Sequence, residues 1–217
     1  MPRTTSFLRI LTAAAAPCLA TAPAWANDDT QLWHYSILTA PVGSGGRLTL
    51  EISPRTREGA VGNEQINNRV SYDHRLNDNV TIGGGAAFIA AAGPNEFRPH
   101  QQVTLATGAF QARTRVEQRF FNGADRMALR LRQRLQMTAP LAPGTSLSGS
   151  AEVLYNARTQ TIGAAKGVDS WRARIGVQHR VSDSLEVGAA YLLILSPRGE
   201  REDQWSHVPQ VSLTWRL

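Results

Sequence analysis

The sequence predicts an all-β protein: an antiparallel, up-and-down transmembrane β-barrel of about ten or twelve strands around a polar, arginine-rich lumen. Three observations carry that prediction. At the carboxyl end Val211, Leu213, Trp215 and Leu217 alternate with Gln210, Ser212, Thr214 and Arg216, a period-two strand running to the last residue. At the amino end Met1–Ala26 combines Arg3 and Arg9, the apolar run Ile10–Ala22 and the small-x-small site Ala24-Trp25-Ala26, the layout of a secretory signal peptide. Between them, arginines recur at every second position opposite Val, Leu, Ile, Phe and Tyr.

Residues 27–217 are then the exported barrel domain, with no second domain and no low-complexity linker. Loss of Arg3 and Arg9 with the signal lowers the net charge from +6 to +4. No stretch beyond the signal approaches the ~18 consecutive apolar residues of a spanning helix. The basic residues are nearly all arginine, Lys166 being the only lysine. Planar, multidentate guanidinium groups suit crowded pairing with carboxylates, which favours internal partners over a nucleic-acid surface. Cys18 falls inside the signal, so the exported chain has no disulfide and no thiolate metal site. A lipidated Cys18 is disfavoured by Pro17 before it, where a small residue is needed.

The strands follow in order. Gln31–Thr39 comes first, and an even strand count requires either that it does not span or that a further strand exists. Arg47–Pro54 sets Leu48, Leu50 and Ile52 against Arg47, Thr49, Glu51 and Ser53. Over Arg69–Leu76, Val70, Tyr72 and Leu76 oppose Arg69, Ser71, Asp73 and Arg75. Val80–Ala92 is rich in Gly and Ala, which suit bends in a curved sheet. Next comes the clearest pair. Arg113, Arg115, Glu117 and Arg119 alternate with Thr114, Val116 and Phe120. After the turn sequence at 121–125, Arg126, Arg130, Arg132, Arg134 and Gln136 oppose Met127, Leu129, Leu131 and Leu135. A helix would also align Met127, Leu131 and Leu135, but Leu129 and Arg132 fit only period two. Ser146–Asn156, Trp171–Val181, Leu185–Leu195 and Val208–Leu217 complete the set, with Arg172, Arg174 and Arg180 opposite Trp171, Ile175 and Val177. Loops are expected at 54–63, 93–99, 140–145, 158–169 and 197–205. The echo of 74–80 in 179–185 (His-Arg, then a polar turn) is hairpin chemistry. The strands number about eleven, but a bacterial barrel with both termini on one side needs an even count, hence ten or twelve.

A sheet in lipid must close, because no water is there to bond its edges. Arginine at the lipid midplane costs ~2–4 kcal/mol, so the alternating arginines must point inward. The expected lumen network is Arg69, Arg75, Arg113, Arg115, Arg119, Arg126, Arg130, Arg132, Arg134, Arg172, Arg174 and Arg180, with Glu51, Asp73, Glu117 and Glu152 as partners. It either replaces a core and plugs the barrel or leaves a constricted passage favouring anions. Trp33, Tyr35, Phe120, Tyr155, Trp171, Tyr191 and Trp215 suit interfacial girdles.

The run Arg113-Thr114-Arg115-Val116-Glu117-Gln118-Arg119-Phe120, with Arg130-Leu131-Arg132 after it, resembles the bacterial family named domain of unknown function 2490. Trp33, the segment Glu96, Arg98, Gln101 and Gln102, and Glu152 followed by Tyr155-Asn156 fit the same pattern. That resemblance implies an exported outer-membrane barrel and no established activity.

His34 and Ser36 resemble the His-x-Ser pair of barrel lipid A deacylases, although here the pair stands on the first strand with no assigned acid. A polar pair turned inward, away from Trp33, Tyr35 and Ile37, is the plainer expectation. His74 and His179 look interfacial, while His100 and His207 lie near expected loops without partners at ligand spacing, so neither metal nor cofactor is expected. The function expected is therefore a structural barrel or a narrow anion-favouring pore. An outer-membrane lipid hydrolase or acyltransferase is the alternative, and a soluble periplasmic barrel for a small ligand is another. The partners expected are outer-membrane lipid and, during biogenesis, the barrel-assembly machinery.

Overall fold

The structure, a computed structural model, describes residues 28–57 and 64–217. The expected signal peptide Met1–Ala26, with Cys18, lies outside the described residues. Among the described residues, eleven strands follow one another: β1 (Asp29–Val42), β2 (Gly46–Arg57), β3 (Glu64–Arg75), β4 (Val80–Ala91), β5 (Glu96–Thr107), β6 (Phe110–Phe121), β7 (Ala128–Ala142), β8 (Thr145–Arg158), β9 (Gly167–Arg180), β10 (Leu185–Arg198) and β11 (Arg201–Arg216). Each pairs antiparallel with its sequence neighbours, and the sheet closes where β1 meets β11.

The closure corrects the strand count. β1 and β11 pair in parallel, from Asp29 opposite Ser206 to Thr39 opposite Arg216. A parallel seam requires an odd number of strands, so eleven replaces the even count argued from termini on one side. The strand that had no place in the sequence reading is β5, whose start falls within the expected loop 93–99. Its inward positions are Glu96, Arg98, His100 and Gln102, and Pro99 and Gln101 interrupt the outward face of Phe97, Val103 and Leu105, so the alternation is masked. The expected loops at 140–145 and 197–205 shrink to residues 143–144 and 199–200.

One end of the barrel carries only tight connections, at 43–45, 76–79, 108–109, 143–144 and 181–184; the other carries 122–127 and 159–166. Gly45, Gly108 and Gly144 hold positive φ in those turns, a backbone that L side chains rarely adopt. Because the count is odd, the Asp29 end of β1 lies with the longer loops and the Arg216 end of β11 with the turns. Single cysteines replacing Asp28 and Leu217 should therefore be labelled from opposite sides of a membrane holding the folded protein. Labelling of both from one side would refute the parallel seam.

Alternation decides which face is which. On β6, Arg115 and Glu117 are buried, while Phe110 and Phe120 face out; on β7, Arg130 is buried, while Leu131, Leu135 and Met137 face out. Around the barrel the outer surface is Leu50, Ile52, Val70, Ile82, Phe88, Val103, Ile175, Val211 and Leu213, all exposed. Phe120, Tyr155, Trp171, Tyr191 and Trp215 are exposed there too. That is the reverse of a water-soluble barrel, and it is stable where the surrounding solvent is hydrocarbon. Trp33 and Tyr35 depart from the girdle reading. They face inward, where Trp33 Nε1 donates to Gln31 Oε1 at 2.8 Å and the Arg55 guanidinium lies 3.9 Å from the ring centroid. Polar partners on the indole remove the need for an interface.

Candidate functional site

The inward side chains enclose a cavity of about 1180 Å3. Its wall from β5 to β8 is a continuous ionic network built on register. Arg130 stands opposite Glu117 across β6 and β7, and Arg134 opposite Glu152 across β7 and β8. Glu117, the most deeply buried carboxylate, accepts from Arg130 Nε and Nη2 at 2.8 and 2.6 Å and from Arg132 Nη1 at 2.9 Å. Arg132 also donates from Nε and Nη2 to both oxygens of Glu152, at 3.2 and 2.7 Å, and Arg113 Nη2 reaches Glu152 Oε1 at 3.1 Å.

The network extends to both sides. Arg115 Nε and Nη2 donate to Gln102 Oε1 at 2.9 and 2.6 Å, and Gln102 Nε2 donates to Asp73 Oδ1 at 2.6 Å. Gly83 leaves room for that carboxylate, since a Cβ there would fall 1.9 Å from Asp73 Oδ1. Glu96 accepts from both Arg98 and Arg119. Asp169 takes Arg130 Nη1 at 3.4 Å and Asn156 Nδ2 at 3.0 Å. Glu51 takes Arg69 Nη1 at 3.4 Å and Asn67 Nδ2 at 3.1 Å. Such forked, charge-assisted bonds offset the cost of holding the ions away from water.

Among the described residues, five arginines on the cavity wall hydrogen-bond neutral side chains instead, Arg198 to Gln204 being one of them. Arg134 Nη2 donates to Gln111 at 3.2 Å, and Arg172 Nε to Ser170 at 3.3 Å. Arg174 donates to Gln210 at 2.9 Å and Ser148 at 3.4 Å, and Arg55 to Gln65 at 3.4 Å. The buried Nε atoms of Arg55 and Arg134 have no partner among the described residues. Among the described residues, thirteen arginines and six carboxylates line the cavity. Opposite the ionic wall, Trp33, Leu192, Ile194 and Val208 pack together on β1, β10 and β11, with Tyr35 against them.

Not every expected network residue lies there. Arg126 is in the β6–β7 connection and donates to the carbonyls of Thr159 and Thr161, because β7 begins two residues later than the sequence reading had it. Arg75 and Arg180 end β3 and β9 and are exposed at the turn end. His34 and Ser36 are corrected more sharply: both are exposed on the outer face, because Gln31, Trp33, Tyr35 and Ile37 occupy the cavity side of β1. His100 is buried within β5, its Nε2 3.5 Å from Ser71 Oγ. His207, on β11, bonds the Tyr191 hydroxyl on the outer surface and lies 3.5 Å from Asp28. Among the described residues no cluster of His, Cys, Asp and Glu could hold a metal ion. Sequence reasoning left Glu96, Arg98, Gln102, Arg55 and Asp169 out of the network. The missing signal was the β5 strand for the first three; Arg55 sits next to Pro54, which marked a loop.

Comparison with known proteins places this geometry. The model of the family described as "Protein of unknown function (DUF2490)" matches residues 30–205. An uncharacterised protein of Methylorubrum extorquens is 28% identical over 178 residues, covering 76% of this chain and 78% of its own. Among solved structures, the NanC porin matches with a TM-score of 0.58 at 11% identity, over 87% of this chain and 99% of its own. The KdgM porin in complex with disordered oligogalacturonate matches with a TM-score of 0.50 at 12% identity, over 78% of this chain and 85% of its own. At such identities the likeness is one of fold.

Proposed function

The chain belongs to the DUF2490 family, and from that premise we propose that it is an outer-membrane barrel whose lumen forms a narrow, anion-favouring passage. The observation that carries the reading is the cavity wall, where, among the described residues, arginines outnumber carboxylates by about two to one and five guanidinium groups hydrogen-bond neutral side chains. A charged ring in a confined lumen admits counter-ions and excludes co-ions. The ionic network on β5–β8 consolidates one wall and leaves the space beside it. KdgM, a porin of the same fold, was captured with an acidic oligosaccharide, which supports a role of such a lumen in passing anionic solutes. The outward apolar surface supports residence in a lipid bilayer, and the soluble ligand-binding alternative would need that surface enclosed. The lipid-modifying alternative has the outward His34 and Ser36, but no hydrogen bond joins them and no carboxylate flanks them among the described residues.

The test is conductance of the refolded protein in planar bilayers under a potassium chloride gradient. A reversal potential displaced toward chloride is expected, and Arg134→Ala with Arg172→Ala should move it toward zero. Cation selectivity would overturn the anion preference, and a membrane that stays insulating with folded protein inserted would overturn the passage and leave the plugged barrel.

A further inference from the structure

The glutamines divide unevenly between the two faces of the barrel. Gln31, Gln65, Gln136, Gln178, Gln204 and Gln210 line the cavity. Gln101, Gln118 and Gln133 point the other way, and they are neighbours on β5, β6 and β7. Gln118 Nε2 donates to Gln101 Oε1 at 2.9 Å, and Thr114 Oγ1 donates to Gln133 Oε1 at 2.6 Å. The two pairs flank Val116 on opposite sides of β6, with Gln101 in register with Val116 and Gln133 with Thr114. Gln101, Thr114 and Gln133 are exposed, and among the described residues the Nε2 groups of Gln101 and Gln133 donate to nothing. The patch lies well inside the rims. Gln101 stands about 13 Å of strand from Phe97, and Thr114 the same length from Phe110, at ~3.3 Å per residue. Asn68 also faces out, but in the row of Phe88 and Phe97 at the loop end. Primary amides with spare donors are costly in hydrocarbon, and lipid tails offer them no acceptor.

We infer that this amide patch is the contact surface for a second copy of the barrel, packed beside the first about a two-fold axis along the membrane normal. That axis keeps both copies in one orientation and sets the patch against itself. A primary amide donates and accepts at once, so the free Nε2 groups of one copy meet amide oxygens of the other, which keep a lone pair each. The charged side chains of β5, β6 and β7 point inward, so identical patches meet without repulsion. Val103 and Leu131, exposed beside the amides, supply apolar packing around them. Such bonds act as polar side chains do between membrane-spanning helices, each modest alone and selective together. The inference rests on residence in a bilayer and not on conduction.

The test begins with analytical ultracentrifugation of the unaltered, folded barrel in mild detergent, which should give twice the chain mass and dissociate on dilution. In phospholipid vesicles, Leu131→Cys treated with a short bifunctional maleimide should form a covalent dimer. Val211→Cys, equally exposed on β11, should not. Gln101→Leu with Gln133→Leu should weaken association about tenfold or more. Leucine suits lipid, so that variant should keep the fast-migrating folded form on an unheated gel, which separates lost contact from lost folding. A monomer at every concentration, a three-subunit mass, or equal cross-linking at Val211→Cys would overturn the contact. So would association that survives unchanged in the double leucine variant, because it would lie on another face. Cross-linking of Leu131→Cys to a different protein in native membranes, with the purified barrel monomeric, would replace the second copy by that partner. A dimer that fails to conduct keeps the contact and refutes the passage; a conducting monomer does the reverse.

Discussion

Glu117→Ala is expected to destabilise the folded barrel by about 3–5 kcal/mol, the usual cost of removing one partner from a buried ionic cluster. Glu117 is 1% exposed and bonds Arg130 and Arg132, with Arg115 Nη1 3.8 Å away. Its loss leaves cations facing one another in a space that excludes most water. Glu117→Gln keeps an acceptor oxygen and loses the charge, so it should fall between wild type and alanine. The readout is the urea concentration at which the fast-migrating, unheated form disappears from a denaturing gel. Combining Glu117→Ala with Arg130→Leu should recover part of the loss, because an apolar replacement removes the orphaned charge along with its partner. A Glu117→Ala barrel as resistant as wild type would mean that the network adds nothing to stability. Arg132→Leu belongs with the severe changes, since Arg132 bonds Glu117 and Glu152 at once.

Period-two alternation made the barrel legible. Strands with clean alternation, such as β6, β7 and β11, could be assigned inside and outside from sequence because arginine tolerates only one of the two solvents. Where the inner face is apolar the signal disappears. β1 presents Trp33 and Tyr35 inward with His34 and Ser36 outward, so the reading that sends aromatics to lipid inverted that strand. β5 hid for a related reason, with Pro99 and Gln101 on its outer face. The strand count depended on the seam between the first and last strands, a contact between residues far apart in sequence that no local pattern encodes. The carboxylate partners of β6–β8 were nameable in advance because cross-strand neighbours follow from a hairpin register. The bond from Arg174 to Gln210, by contrast, crosses between strands that are not neighbours, and only the closed barrel brings the two together.

Leu135→Arg tests what surrounds the barrel. Leu135 lies at the centre of β7, 59% exposed, with Ala112 and Ala151 opposite it on the neighbouring strands. Small flanking side chains leave the leucine no protein surface to pack against, so its environment is whatever lies outside. In hydrocarbon at mid-depth the arginine should cost ~2–4 kcal/mol, falling to ~0–1 kcal/mol near an interface. Phe110→Arg supplies the shallow comparison. Phe110 begins β6 at the turn end, equally outward and 61% exposed. Urea titrations in phospholipid vesicles should therefore separate the two, with Leu135→Arg lowering the midpoint strongly and Phe110→Arg only slightly. Water around the barrel gives the opposite pattern: both substitutions would be neutral, and both would make the protein more soluble without lipid. Equal, near-zero effects at the two depths would remove the bilayer from the account, and the inward arginines would then need another reason to be inside.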